Sequence, residues 1–365
     1  MVVLVDLVGY TGKKGGTDVY TRELYRHISK LSFDWEFTAL ASKESKRLDL
    51  SWFPGKIEFS SFSGNSKIQW AFAEVISMQI KAFKDKPRLI HCPANFGPLI
   101  RTSRILLTIH DMIYWAKPNL VPNPFLIPGV RILQKKIIKN SDFLITDSFF
   151  SNEEILKFHK IPTNKIKTIY LGSQSNNLVE SSKFGFSEYF LAGGNRFGHK
   201  NWNGLIEAFS LIPEDIRPKL YITGGRSPDP LKNLINYYHL NNYIELLDWV
   251  DEEKMQNLYI GAKAVIVPSF YEGFSLPVMQ AMNLGKPIIA SEIPVHLEIA
   301  GQVAHFFDPE SPKSIAVSII NFLNAPESQI QAKVKLGLER SDGTTWQRCA
   351  VETLEVMKLL LENEN

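Results

Sequence analysis

The chain has 365 residues, of which 44% are hydrophobic and 22% are charged, and its formal net charge is +3. This length suits two domains of ordinary size better than one, and no segment approaches the ~20 apolar residues of a membrane span. The two cysteines, Cys92 and Cys349, lie far apart in sequence and have no metal-ligand companions. This pattern fits a protein of a reducing cytoplasm.

Strand and helix patterns alternate along the first half of the chain. The opening apolar run, residues 2–8, lacks the basic start and small-residue cleavage site of a signal peptide, so we expect a buried strand there. Short apolar, β-branched runs predict five more strands, at residues 36–41, 89–92, 104–110, 143–146 and 166–170. Apolar residues at helical spacing predict intervening helices at residues 19–31, 68–83 and 130–139.

A second series of the same kind follows a stretch rich in Ser and Asn, which predicts a linker over residues 172–187. Its predicted strands are residues 189–192, 220–223, 244–247, 264–267, 288–290 and 305–307. Two consecutive series predict an α/β fold with two doubly wound, Rossmann-like domains that face a central cleft. We expect these parallel-sheet domains at residues 1–171 and 188–343, with a C-terminal helix within residues 344–365.

The turn after the predicted strand at residues 264–267 carries one carboxylate, Glu272, followed by Gly273, Phe274 and Ser275. A strand that leads through a glycine turn into a helix presents free backbone N–H groups and the positive end of a helix dipole, which bind phosphate. We therefore expect a nucleotide-sugar site, with Glu272 beside the diphosphate. There it can hold sugar hydroxyls or face a developing positive charge. The alternative is a surface turn with a solvated Glu.

A second glycine-containing loop, residues 193–201, lies between a predicted strand and an amphipathic helix. It carries two cations four residues apart, Arg196 and Lys200. Two cations near a helix N-terminus can neutralise a diphosphate and stabilise it as a leaving group. The alternative is a solvated basic loop.

Two other positions carry weaker signals. Gly16 ends the glycine-rich turn after the first predicted strand, where backbone can approach a phosphate closely. His110 ends the strand predicted at residues 104–110, at the sheet edge where ligands of such folds bind. The alternative for His110 is a structural hydrogen bond.

Together these segments resemble the retaining glycosyltransferases of family 4 with the GT-B fold. The run Glu272-Gly-Phe-Ser-Leu-Pro277 is similar to that family's Glu-Gly-Phe-Gly-Leu-Pro signature, which leads to a second Glu eight positions after the first. Here the eighth position is Gln280. The basic loop is similar to the family's Gly-x-Arg…Lys-Asn element, and residues 108–111 are similar to its Thr-x-His-Asp element. The resemblance runs from about residue 15 to residue 360 and is tightest over residues 191–298.

The resemblance implies a metal-independent, retaining enzyme that moves a hexose from a UDP-, GDP- or ADP-sugar to a hydroxyl of a saccharide or lipid-linked acceptor. Surface-polysaccharide or other glycan assembly is the expected setting, with the acceptor on the first domain and the C-terminal helix crossing back to it. A catalytic role falls on Glu272, and His110 is expected to reach the donor sugar. The donor is the substrate, so no cofactor is expected.

Diphosphate binding is carried over to both cations of the basic loop, Arg196 and Lys200, and to Gly16. Ribose binding is carried over to Gln280, whose amide can accept one hydrogen bond and donate another. A metal is not expected, because the sequence has no Asp-x-Asp motif or other carboxylate cluster with Mg²⁺ spacing. Two alternatives stay open: a nucleotide-sugar epimerase, and a GT-B-like binding protein that has lost catalysis, for which Gln280 is the supporting feature.

Charge is unevenly distributed along the chain. Residues 1–180 hold 25 Lys+Arg and 16 Asp+Glu, whereas the remainder is acidic. A basic first half indicates an anionic partner. No nucleic-acid motif is present, so we expect a phosphate-bearing acceptor or peripheral contact with the inner face of the membrane, through a helix face with Arg131, Lys135, Lys136 and Lys139. Exposed aromatic side chains are expected close to this face, at Trp52 and Phe53.

Overall fold

The structure is a computed structural model that describes residues 1–12, 15–173 and 189–362. The chain forms two compact units. The first comprises Met1–Pro118, Asn123–Gly172 and Thr344–Asn365, and the second comprises Asn119–Pro122 and Ser173–Gly343. Most of the predicted linker lies outside the described residues.

The first unit is built on a seven-stranded sheet in which every pair of neighbouring strands is parallel. In chain order the strands are β1 (Val2–Leu7), β2 (Glu36–Ala41), β3 (Gly55–Phe59), β4 (Leu89–Cys92), β5 (Arg104–Ile109), β6 (Phe143–Thr146) and β7 (Ile166–Thr168). Their spatial order is β3-β2-β1-β4-β5-β6-β7. The order therefore reverses between β1 and β4, which is the topological switch point of this sheet.

Helices cover both faces of this sheet. They are α1 (Gly16–Ile28), α2 (Lys67–Phe72), α3 (Met78–Asp85), α4 (Ile113–Ala116), α5 (Ile127–Asn140), α6 (Phe149–Phe158) and α14 (Trp346–Glu362). Ala82 of α3, Ile137 of α5 and Ile155 of α6 share one hydrophobic cluster with strand residues such as Ile90. These three helices therefore lie on one face of the sheet.

The helices α1 and α14 pack against each other within the first unit. Tyr25 of α1 contacts His91 of β4 through a 2.6 Å hydrogen bond, and side chains alternate between the faces along a strand, so α1 covers the face opposite α3. Trp346 at the start of α14 is buried beside Tyr20. The C-terminal helix is thus part of the first unit's packing.

The second unit has a six-stranded parallel sheet of the same design. Its strands are β8 (Tyr189–Gly193), β9 (Lys219–Gly225), β10 (Ile244–Asp248), β11 (Ala264–Val267), β12 (Ile288–Ser291) and β13 (His305–Phe307). Their spatial order is β10-β9-β8-β11-β12-β13. The switch point of this sheet therefore lies between β8 and β11.

Seven helices belong to the described part of the second unit. They are α7 (Trp202–Ser210), α8 (Leu231–Tyr237), α9 (Glu252–Gly261), α10 (Leu276–Asn283), α11 (Pro294–Ala300), α12 (Pro312–Leu323) and α13 (Glu327–Ser341). Phe209 of α7 and Phe322 of α12 are buried in one core with strand residues such as Phe190 and Ile266. Helices α7 and α12 thus cover the same face of this sheet and bury the core of the unit.

The predicted fold class is confirmed, because both sheets are parallel and doubly wound. The strand β3 was not predicted. Its residues are mostly exposed, it contains Lys56 and Glu58, and it lies at the sheet edge, where no apolar pattern is needed. Among the helices of the described residues, none is long and apolar enough to span a bilayer.

Candidate functional site

The switch point of the second unit brings two predicted loops together. Residues 194–201 follow β8, residues 268–275 follow β11, and these two strands are neighbours in the sheet. The backbone N–H of Phe270 donates to the carbonyl oxygen of His199 at 2.7 Å, which ties the two loops to each other. Ligands of doubly wound sheets bind at the carboxyl ends of strands at this kind of position.

The loop after β8 is shaped by its last residue. Asn201 adopts a left-handed conformation, with φ of 53°, and its side chain accepts a hydrogen bond from the backbone N–H of Gly204. Asn tolerates this conformation better than most residues and is a good N-cap. The chain thus turns sharply into α7, and Lys200 is placed beside the loop after β11.

Lys200 and Glu272, 72 positions apart in sequence, form an ion pair in which the ammonium nitrogen lies 3.1 Å from Oε1 of the carboxylate. Both side chains are largely buried, with exposed fractions of 15% and 6%. The hydroxyl of Ser269 also donates to Oε1, and Nε2 of His296 lies 4.0 Å from the same atom. Two residues predicted separately are therefore parts of one cluster.

The electrostatics of this cluster favour an ionised Glu272. Burial alone raises the pKa of Glu272, but Lys200, His296 and Ser269 outweigh burial and hold that pKa below its ordinary value. Burial, together with the nearby charge of Lys200, lowers the pKa of the neighbouring His199 to about 4. The site therefore holds a fixed negative charge that is balanced by one ammonium group.

Arg196 does not join this cluster. Its guanidinium forms an ion pair with Asp229, with N–O distances of 2.8 to 3.2 Å, and donates to the carbonyl oxygens of Gly194 and Thr223. It also lies over the ring of Trp202. Most of its donors are occupied within the unit, so diphosphate binding by Arg196 stays a prediction that requires it to exchange partners.

The N-terminus of α10 follows Glu272 directly. Ser275 precedes the first residue of this eight-residue helix, is fully buried, and its hydroxyl has no hydrogen-bond partner among the described residues. Gly273 and Phe274 are buried beside it. A buried hydroxyl at a helix N-terminus is suited to an anion, because the first backbone N–H groups lack intrahelical partners.

Gln280 lies half-buried within α10, just over one turn after Ser275. Its predicted ribose contact stays a prediction.

In the first unit, His110 follows β5 and has both ring nitrogens engaged. Nδ1 lies 2.6 Å from Oδ2 of Asp147, and Nε2 lies 2.8 Å from the carbonyl oxygen of Pro93. Burial lowers the pKa of His110, but Asp147 and the Pro93 carbonyl outweigh it, so the pKa lies above its ordinary value. Both partners are acceptors, which favours a doubly protonated ring. Contact between this ring and a donor sugar stays a prediction, and it requires one of these bonds to be released.

Gly16 is the first residue of α1, one position after Gly15, whose φ is 70°. Its backbone N–H is one of the four that an α-helix leaves without an intrahelical partner. A small pocket lies nearby at the ends of β1 and β4, lined in part by Asp6, Asp18 and Glu74. Burial raises the pKa of Asp6, whose carboxyl group contacts Glu74. Among the described residues, no group of three or more His, Cys, Asp or Glu side chains could hold a metal ion.

Several residues of these clusters escaped prediction. Ser269, His296 and Asp229 contact predicted site residues, yet each is an isolated polar residue in sequence. The only signal was polarity within apolar surroundings, as for His296 between Val295 and Leu297, and it does not identify a partner.

Comparison with known proteins relates this chain to enzymes of sugar transfer. Residues 174–334 match the family model of the glycosyl transferases group 1. The O-antigen chain mannosyltransferase B of Escherichia coli is 28% identical over 299 residues, which are 77% of this chain and 77% of the relative. The O-antigen chain mannosyltransferase RfbU of Salmonella typhimurium is 28% identical over 63% of this chain and 64% of the relative. These matches support a GT-B glycosyltransferase.

Solved structures confirm the fold of this GT-B chain. A sucrose-phosphate synthase from Thermosynechococcus elongatus superposes with a TM-score of 0.77 at 18% identity, and the match covers 98% of both chains. Anabaena HepE in complex with UDP and glucose superposes with a TM-score of 0.71 at 16% identity, covering 98% of this chain and all of HepE. At these identities the likeness concerns architecture.

Proposed function

We propose that this protein is a retaining, metal-independent glycosyltransferase of family 4. It transfers a hexose from a nucleotide-diphosphate sugar to a hydroxyl of a saccharide or lipid-linked acceptor, in surface-polysaccharide assembly in the cytoplasm. The observation that carries the proposal is the buried Glu272–Lys200 pair at the switch point of the second unit. Mannose is the proposed hexose, because two relatives are named O-antigen chain mannosyltransferases.

In the proposed reaction the leaving group is the nucleoside diphosphate, and it is bound by Lys200 and the neighbouring hydrogen-bond donors. Lys200, the hydroxyl of Ser275 and the N-terminus of α10 bind the diphosphate and stabilise it as the bond to the sugar carbon breaks. The acceptor hydroxyl forms the new bond to that carbon, and its proton passes to the leaving phosphate.

Glu272 is proposed to stabilise the positive charge that develops on the sugar. Its Oε1 already receives hydrogen bonds from Lys200 and Ser269. A carboxylate oxygen held by two donors is a weaker nucleophile than a free one, which favours an electrostatic role over a covalent intermediate. The carboxylate is already ionised before the reaction begins, so its charge does not have to form during the step.

The proposed function is tested by incubating the protein with GDP-mannose, UDP-glucose and ADP-glucose in the presence of candidate lipid-linked and free saccharide acceptors. We expect transfer from GDP-mannose, retention of the anomeric configuration by NMR, and full activity in EDTA. Thermal-shift measurements with UDP, GDP and ADP identify the base. Tight binding of a nucleoside diphosphate without transfer from any donor would instead indicate a GT-B-like binding protein that has lost catalysis, the alternative supported by Gln280. Conversion of the donor sugar to its epimer would indicate a nucleotide-sugar epimerase.

Contact with an anionic membrane surface is proposed for the outer face of the layer formed by α3, α5 and α6. The helical run from α2 to α3 exposes large apolar side chains at helical spacing: Phe72, Ile76, Ile80 and Phe83. Ile100, which is also exposed, is fixed beside this run because Gln79 makes two hydrogen bonds to its backbone, at 2.9 and 3.0 Å.

The basic part of this face lies on α5. Ile132, Lys135, Lys136 and Lys139 are exposed there, and Asn140 links α5 to the same loop through the carbonyl oxygen of Leu99. Exposed apolar side chains beside clustered lysines fit an anionic bilayer, to which each lysine contributes about 1 kcal/mol.

Two details of the sequence-based interpretation were wrong. Arg131 does not belong to the exposed face, because it donates to the carbonyl oxygen of Tyr114 at 2.7 Å and lies over Trp115. Trp52 and Phe53, which were expected to be exposed, are buried.

Co-sedimentation with vesicles that contain phosphatidylglycerol is expected to show binding at low salt that weakens at high salt. Replacing Lys135, Lys136 and Lys139 with Gln should reduce binding, and replacing Ile80 and Phe83 with Ser should reduce it at every salt concentration. The matched control replaces Lys30, Lys43 and Arg47, which are exposed on other parts of the first unit, with Gln. Equal losses in the control and the test variants would mean that net charge alone is responsible, and no binding at low salt would indicate an acceptor that is not membrane-bound.

A further inference from the structure

His296 lies in α11, and none of its surface is exposed. Its Nδ1 is 2.9 Å from the backbone carbonyl oxygen of Ser291 and 3.1 Å from the hydroxyl oxygen of the same residue. A carbonyl oxygen only accepts hydrogen bonds, so Nδ1 must carry a hydrogen. The orientation and the tautomer of the ring are therefore set by Ser291.

The opposite nitrogen of the ring faces Glu272. Nε2 lies 4.0 Å from Oε1 of the carboxylate and has no hydrogen-bond partner among the described residues. A buried polar atom without a partner is costly and uncommon. Because the ring is fully buried, His296 cannot contact a substrate in this arrangement, and any effect on the reaction must pass through Glu272.

A chain of hydrogen bonds links the residue that orients His296 to the carboxylate of Glu272. The hydroxyl of Ser291 donates to the carbonyl oxygen of Ser269 at 2.6 Å, and the hydroxyl of Ser269 donates to Oε1 of Glu272. The end of β12, the loop after β11 and the helix α11 are thereby joined. Oε1 of Glu272 and Nε2 of His296 are held near each other by these contacts, and a hydrogen bond between them requires their 4.0 Å separation to shorten by about 1 Å.

The position of Lys200 affects both the protonation of His296 and the ion pairing of Glu272. Burial lowers the pKa of His296, the carboxylate of Glu272 opposes that effect, and the nearby ammonium of Lys200 adds to it. A diphosphate is a stronger attraction for Lys200 than a single carboxylate, because it carries more negative charge. When Lys200 turns to the diphosphate, Glu272 loses a cationic partner and the ring loses the cation that disfavours its protonation.

We propose that His296 is a positioning residue that replaces Lys200 as the cationic partner of Glu272 in the donor complex. Nε2 takes up one proton from solvent and donates a hydrogen bond to Oε1, so the carboxylate stays oriented toward the sugar while Lys200 binds the diphosphate. This inference rests on the proposed function, since it assigns a task within the same site.

Two variants of His296 test the contributions of its two ring nitrogens separately. His296→Gln places an amide N–H near the position of Nε2, whereas His296→Asn places one near Nδ1 and leaves the side facing Glu272 empty. We expect the Gln variant to keep turnover within about tenfold of wild type and the Asn variant to lose tenfold or more, as is usual when a catalytic group is misplaced. Nucleoside diphosphate affinity, measured by calorimetry, should change little in either variant.

The double variant His296→Asn with Glu272→Gln supplies the control. If His296 acts through Glu272, the Asn substitution should cause no further loss in that background. Wild-type-like turnover of His296→Asn would overturn the inference, and so would equal losses in the Asn and Gln variants, because a merely structural role does not distinguish the two nitrogens. Wild-type protein that transfers sugar from none of the donors would instead overturn the proposed function itself.

Discussion

Replacing Glu272 with Gln is expected to reduce the rate of sugar transfer by ~10² or more, because the variant lacks a preorganised charge at the reacting carbon. The shape of the side chain is preserved, and Lys200 and Ser275 remain available to the diphosphate. Nucleoside diphosphate affinity should therefore stay close to that of wild type. Steady-state kinetics and calorimetry measure the two quantities separately.

The matched control for this prediction is Glu292→Gln, which removes one negative charge from an exposed position of the same unit. Its turnover should equal that of wild type. A Glu272→Gln variant that keeps full activity would remove Glu272 from the catalytic assignment, whatever the behaviour of the control.

The pH dependence of stability offers an independent check on Glu272. Its pKa in the folded protein lies below the ordinary value, so ionisation of this carboxyl group stabilises the fold. That stabilisation is present above the unfolded-state pKa and is lost as the pH falls through the folded-state pKa. The Gln variant should lack this acid-dependent component of the unfolding free energy.

Replacing Arg196 with Ala is expected to lower the free energy of unfolding by about 3 kcal/mol, because it leaves the largely buried carboxylate of Asp229 without its cationic partner. The exposed fractions of the two side chains are 10% and 11%, so solvent offers little compensation. Urea denaturation monitored by circular dichroism measures this loss. A change below about 1 kcal/mol would show that the pair behaves as an exposed ion pair.

A double variant, Arg196→Met with Asp229→Leu, separates stability from donor binding. Replacing both partners of a buried ion pair with apolar side chains is often close to neutral for stability, so this protein should regain most of the lost stability. If its affinity for nucleoside diphosphate matches that of wild type, Arg196 does not bind the diphosphate. A large loss of affinity would support the diphosphate-binding role that the family resemblance implies for Arg196. Lys200→Ala is the comparator, and it should weaken diphosphate binding in either case.

Much of the fold followed from local pattern. Central strands of parallel sheets are buried on both faces, so they consist of nearly continuous apolar residues and stand out in the sequence. The strands at Leu89–Cys92 and Ala264–Val267 were predicted with their observed bounds. The edge strand Gly55–Phe59 was missed because an edge strand is largely solvated and does not need that pattern.

The candidate site was predictable only as a set of separate loops. Glu272 stood out because a carboxylate before a glycine, between a buried strand and a helix, has a local physical meaning. The proximity of Lys200 to Glu272 depends on the adjacency of β8 and β11 in the sheet. About seventy residues separate these two strands in sequence, and the strands formed by those residues, β9 and β10, lie beyond β8 in the same sheet. Strand order of this kind is set by the packing of the whole unit.

The sequence by itself determined the two parallel-sheet units and the segments that carry polar groups to their carboxyl edges, because burial and turn chemistry act on residues close together in the chain. Only the tertiary structure decided how those groups pair. Arg196 forms an ion pair with Asp229, and Lys200 forms one with Glu272. His110 is bound by the carboxylate of Asp147 and the carbonyl oxygen of Pro93. A buried charge takes whichever opposite charge or hydrogen-bonding group the surrounding packing places within reach, and that distance is a property of the folded chain.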